Sequence, residues 1–181
     1  MNGTLVLLAA VLGCLLLALI ILYNSLVNRR NQVRYAFASI DVQLKKRFDL
    51  IPNLVETVKA HAAHERGTLE AVTRARQQAA QRGATWQDQE MLGHAAHSLI
   101  ALAESYPSLQ TDRSFLMLQR NLTECEEQIA AARRTYNASV MDYQNAIGMF
   151  PSSLVASMFS FPPMPSFEAA IAERENIHVR F

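Results

Sequence analysis

The chain has 181 residues, enough for one domain plus an appendage, and it carries 17 basic against 16 acidic side chains. That balance gives no electrostatic case for nucleic acid as a partner, and its two cysteines, Cys14 and Cys125, fall in very different segments and imply no disulfide framework. Half the residues are hydrophobic while only 18% are charged, a ratio that points to part of the chain lying in lipid.

The first thirty residues supply that part. In MNGTLVLLAAVLGCLLLALIILYNSLVNRR no charged side chain precedes Arg29. The apolar run over residues 5–23 is about 19 residues, or roughly 28 Å of helix, close to the hydrocarbon thickness of a bilayer. Leu5, Leu8, Leu12, Leu16 and Ile20 are the expected anchor side chains, and Tyr23 stands where an interfacial aromatic would. A secretory signal peptide would need a basic leading region, a shorter apolar core and a small-x-small cleavage site. VLGC before Cys14 faintly resembles a lipoprotein box, but cleavage there would leave LLLALIILY as an apolar stub. An uncleaved anchor is the expectation. Arg29, Arg30, Arg34, Lys45, Lys46 and Arg47 all follow the span, so the body is expected in the cytoplasm, with a short N-terminus outside and the span in the inner membrane. Arg29 and Arg30 read first as a stop-transfer signal and second as contacts to anionic headgroups.

Beyond the anchor, helical stripes dominate. Phe37, Ile40, Leu44, Ile51, Val55, Val58 and Ala62 recur at helical spacing, so the anchor is expected to run into a long first helix ending near residue 64, kinked or reset at Pro52. RGTLEAVTRARQQAAQRG reads as a short second helix capped by Thr68 and stopped at Gly83. TWQDQEMLGHAAHSLIALAESYP reads as a third, capped by Thr85 and ending at Tyr106-Pro107. The fourth runs from a cap at Asp112 to Phe150, with Pro151 as its stop. Along it Phe115, Leu118, Leu122, Cys125, Ile129, Ala132, Tyr136, Ser139, Tyr143, Ala146 and Phe150 alternate spacings of three and four, a 3.5-residue repeat over about five heptads.

Long, short, short, long suggests an all-α fold: a single transmembrane helix continuing into an antiparallel, up-down four-helix bundle. Helices two and three running as one interrupted return leg is the alternative. The corresponding domains are 1–28 (anchor), 29–150 (cytoplasmic bundle) and 151–181 (tail). In the tail, Leu154, Met158, Phe159 and Phe161 form an apolar segment broken by prolines. It packs on its own bundle, on the membrane interface or on a neighbouring subunit.

Chemistry is thin. HAAH occurs twice, placing four of the five histidines at 61, 64, 94 and 97. On a helical wheel His61 flanks the first stripe and His64 faces outward. His94 and His97 point away from Leu92, Ala96, Leu99 and Ala103. The pairs do not converge inside a bundle, and no HExxH spacing adds a ligand. Cys125 on the heptad seam reads as packing rather than a nucleophile, and Tyr136 and Tyr143 as core residues that need hydroxyl partners. No catalytic residue, metal site or cofactor is expected.

Several longer stretches resemble the LemA family: YNSLVNRRNQV after the anchor, IDVQLKKRFDLIPNLVETVK, ALAESYPSL, FLMLQRNLTECEEQIAAARRTYNASVMDYQNAI, FPSSLVASMFSF and the closing VRF. The likeness covers nearly the whole chain. It implies a membrane-anchored, mostly helical protein with a cytoplasmic antiparallel bundle, and it does not imply an enzyme; relatives are linked to shaping internal membranes or to membrane stress and proteolysis. GHAAHSL departs from the apolar and acidic residues usual there. Three functions compete. The first is a homo-oligomeric, coiled-coil-like scaffold that organises or remodels membrane through Phe115, Leu118, Leu122, Ile129, Tyr136, Tyr143, Phe150 and the tail. The second is an adaptor or regulator of a membrane protease or signalling protein, and the third, ranked last, is a metal-dependent enzyme using the histidine pairs.

Overall fold

The computed structural model describes residues 2–62 and 64–167. The VRF end and the tail beyond residue 167 lie outside the described residues. Within them every regular element is helical. Helix α1 (Asn2–His61) is 60 residues long and runs through Pro52 without being reset. Proline forgoes one backbone bond, while Ile51, Leu54 and Val58 on the same stripe are fully buried and hold the register. The helix stops at His61, a little short of the expected end.

Helix α2 (Arg66–Ala79) begins behind Glu65, which offers no side-chain cap and stands three residues before the expected cap Thr68. The turn after it uses Gly83 at φ +91°, a left-handed conformation that suits glycine. Helix α3 (Trp86–Leu102) starts on a capping box. The Thr85 N–H donates to Asp88 Oδ2 at 2.6 Å, and the Asp88 N–H donates back to Thr85 Oγ1 at 3.3 Å. The expected end at Tyr106-Pro107 instead holds a 3₁₀ turn (Ala103–Ser105) and a four-residue helix α4 (Pro107–Gln110) with proline in its first turn. Asp112 then caps α5 (Arg113–Gly148), accepting the Phe115 N–H at 2.8 Å. Last comes α6 (Ser152–Met158), followed by an extended strap over residues 161–167.

The chain divides into two compact units, Ser39–Ala131 and the combination of Met1–Ala38 with Ala132–Phe181. This division differs from the three sequence domains because each long helix serves both units. In the first unit, Ile51, Leu54 and Val58 of α1 meet Val72 of α2, Leu92 and Leu99 of α3, Leu109 of α4, and Phe115 and Leu122 of α5 in one core. Gln43 and Arg47 of α1 meet Cys125 and Glu126 of α5, whereas His61, at the end of α1, meets Asp112 just before α5 begins, so the two helices run in opposite directions here. In the second unit the buried apolar side chains include Leu26, Val33, Ala36, Tyr136, Val140, Tyr143, Val155, Ala156 and Phe161.

Candidate functional site

The N-terminal part of α1 is bare. Leu5, Leu8, Leu12, Leu16, Ile20 and Tyr23 are all exposed, and none of the apolar window that could cross a membrane is buried in protein. A rod apolar on every side and uncovered by its own chain is suited to lipid rather than water. Among the described residues Leu26 is the first side chain along α1 to be fully buried.

Just past this sheath the tail returns. The Tyr23 ring meets Phe159 edge-on at 4.9 Å between centroids and Phe161 at 5.8 Å. The Arg30 guanidinium lies 5.2 Å over the Phe161 ring. Arg30 is therefore committed to a ring of the tail, and its Nε is buried without a hydrogen-bond partner; Arg29 is half-buried. Phe161 is buried, whereas Leu154 and Met158 are 60% and 68% exposed.

The strap beyond Phe161 is held by side chains of α5. The Tyr143 hydroxyl donates to the Pro162 carbonyl at 2.9 Å and Tyr136 to Pro165 at 2.8 Å. Gln144 Nε2 donates to the Met164 carbonyl at 2.8 Å. Asn137 grips Phe167 at both backbone groups, donating to its carbonyl at 3.0 Å and accepting its N–H at 2.9 Å. A proline-rich strand has few N–H groups to offer, so donors from the helix supply its carbonyls. Burial pushes both tyrosine hydroxyls above their ordinary pKa.

Of the seam residues, Phe115, Leu122, Ile129, Tyr136 and Tyr143 are buried, and Leu118 packs half-buried against the core. Phe150 departs from the expectation. The helix ends at Gly148, so position 150 no longer follows the heptad, and its ring is 79% exposed.

The other unit contains a polar cluster that the sequence reading passed over. Arg47 is 3% exposed. Its Nη1 donates to Glu126 Oε1 and Oε2 at 3.2 and 3.3 Å, and its Nη2 to the Gln89 carbonyl at 2.6 Å and Gln89 Oε1 at 3.2 Å. Gln89 Nε2 in turn donates to the Ala79 carbonyl at 3.3 Å, so one guanidinium ties α1, α3 and α5 together and reaches α2. A Cβ on Gly93 would stand 3.0 Å from Arg47 Nη1, so any larger residue at this point of α3 would press on the guanidinium. Two signals were available: Arg47 continues the 40, 44, 47, 51 stripe, and an isolated glycine inside a helix usually marks a close approach. Beside this pair the Cys125 thiol donates to the Gln43 carbonyl at 3.2 Å. Burial, reinforced by the Glu126 charge, pushes that thiol up, the opposite of what a nucleophile needs.

The histidines separate. His61 Nε2 lies 3.4 Å from Asp112 Oδ2, joining the last residue of α1 to the cap of α5. His64, His94 and His97 are exposed, and among the described residues no group of three or more His, Cys, Asp or Glu side chains is placed to hold a metal. The Phe115 N–H holds the Asp112 carboxyl below its usual range, with smaller help from the Ser114 N–H and His61. A surface groove of about 650 Å³ is lined by residues including Val55, Glu56, Lys59, Arg66, Glu70 and Arg74; its charges are mixed, and Arg47 does not line it.

Fold and site together define a membrane-associated protein that is helical throughout its regular elements among the described residues, with a long apolar helix left uncovered at its N-terminal end. The LemA family model matches residues 36–181, and the chain belongs to that family. It is also similar to the magnetosome protein MamQ of Magnetospirillum gryphiswaldense, at 23% identity over 82% of this chain and 65% of the relative. Magnetosome proteins MamQ 1 and MamQ 2 of Paramagnetospirillum magneticum match at 23% identity over 83% of this chain and 66% of each relative. The chain thus spans just under two thirds of the length of these relatives.

Proposed function

We propose that this protein is a single-pass membrane scaffold, without catalytic activity, that self-assembles and organises or remodels the bilayer. The observation that carries the reading is the bare apolar sheath of α1, which needs lipid around it. The arginines that follow the sheath favour an inner-membrane protein with its N-terminus outside and its helical body in the cytoplasm. The opposite directions of α1 and α5, from Gln43–Cys125 and Arg47–Glu126 to His61–Asp112, support an antiparallel bundle. Similarity to magnetosome proteins is consistent with work at a membrane. Lipid and further copies of the chain are the partners on this reading. Exposed Met117 and Met141 offer apolar surface for association.

The test is the size of the purified full-length protein in mild detergent, followed by imaging in vesicles. Large, regular assemblies that deform the vesicles are the expected result. A detergent-bound monomer that leaves vesicle shape unchanged would refute the scaffold. Stoichiometric co-purification of one foreign membrane protein would favour an adaptor instead.

A further inference from the structure

We propose that α6 and its flanks, through Met149, Phe150, Leu154, Met158 and Phe159, form a second membrane contact that lies in the boundary between headgroups and acyl chains. The contact belongs to the leaflet reached by the C-terminal end of the α1 span. It requires membrane association but not self-assembly.

Depth is the first argument. The exposed apolar stretch over residues 5–21 is about 25 Å of helix, close to the roughly 30 Å of hydrocarbon it would cross. Tyr23 then stands at the boundary, where amphipathic rings prefer to lie. Phe159 packs edge-on against Tyr23 at 4.9 Å, so the end of α6 is at the same depth. The apolar face of α6 is therefore continuous with the lipid-facing surface of the span.

The second argument is the distribution of side chains. Leu154 and Met158, four residues apart, share one face of α6 and are both exposed, while Val155 and Ala156 are buried on the other. Met149, Phe150 and Phe159, just outside the helix at its two ends, are exposed as well. Charge is the third. No Asp, Glu, Lys or Arg occurs between Asp142 and Glu168, in a chain that is 18% charged. A surface meeting only water would be expected to carry charge, whereas one entering the acyl boundary must avoid it. The strap supplies rigidity. Bonds from Tyr143, Gln144, Tyr136 and Asn137 pin residues 162–167 to α5, so α6 is tethered at both ends.

The test uses the full chain in phosphatidylethanolamine and phosphatidylglycerol vesicles. A nitroxide is attached to Leu154→Cys or Met158→Cys in a Cys14→Ala background, with Gln128→Cys on exposed α5 surface as the aqueous reference. Cys125 is buried, and the background without an added cysteine reports any stray labelling. At positions 154 and 158, collision with a water-soluble nickel chelate is expected to fall severalfold below that at 128, while collision with oxygen rises. Nickel access equal to that at 128 would overturn the contact. Exclusion of both reagents, with spin–spin broadening between labelled copies, would also overturn it by placing a second subunit on this face.

Discussion

Arg47 illustrates how one side chain can organise a core. Its charge is removed from water and returned to balance by Glu126 and the Gln89 carbonyl. Arg47→Ala leaves Glu126 without its partner and should destabilise the protein by about 3 kcal/mol, the lower end for breaking a buried pair because Glu126 keeps some solvent. Arg47→Met with Glu126→Leu should recover most of that loss, since no orphaned charge remains. Denaturant titration of the three proteins in one detergent decides it, and an additive double variant would show that the pair is not coupled. Gly93→Ala should fail to deliver the roughly 1 kcal/mol that the exchange normally gains in a helix interior, because the new Cβ presses on Arg47 Nη1. Arg47 counted among the basic residues after the span, because a one-letter pattern cannot tell a buried guanidinium from a solvated one.

At the scale of elements, helix ends set the response to acid. Asp88 is held below its ordinary pKa chiefly by the Thr85 side-chain bond, and Asp112 chiefly by the Phe115 N–H. A carboxyl whose pKa is lower when folded takes up its proton more readily when unfolded. Its contribution is thus intact above the unfolded value and disappears as pH falls through the folded one. Thermal stability should therefore drop below about pH 4, and less steeply in Asp112→Asn, which keeps a capping oxygen without titrating; equal acid profiles would exclude Asp112 as a contributor. The buried tyrosines act at the other extreme. Their raised pKa values mean that stability declines as pH rises beyond the ordinary tyrosine range. Tyr143→Phe removes the bond to Pro162 and should cost about 1 kcal/mol. Amide exchange at Phe167 should quicken in Asn137→Ala, which loses the acceptor for that N–H; unchanged exchange would mean that the strap does not depend on this grip. The caps at Thr85 and Asp112 were legible in the sequence because capping is a local arrangement. The start of α2 was not, since Glu65 offers no side-chain cap to read. Helix α4 was missed because Pro107 looks the same as a terminator and as a first-turn residue.

For the whole molecule, the decisive quantity is where apolar surface remains uncovered. Cys14 lies within the bare sheath and Cys125 in the core. In vesicles, a water-soluble maleimide should leave both unmodified. Dissolving the vesicles in sodium dodecyl sulfate, which solubilises lipid and unfolds the protein, should expose both thiols together, as followed by mass. Modification of Cys14 in intact vesicles would place that part of α1 outside the hydrocarbon.

Length, charge and periodicity determined the apolar span, the all-helical class and most of the seam on the last long helix. Burial of apolar side chains follows local spacing, and a helix repeats it faithfully. The exit of Phe150 from that seam depended on where α5 actually ended. The return of the tail to Tyr23 and Arg30, the clasp of Asn137 on Phe167 and the Arg47–Glu126–Gln89 cluster were decided only by tertiary structure. Each joins residues distant in the chain, and such pairings depend on how helices rotate and pack against one another, which no single stretch of sequence records.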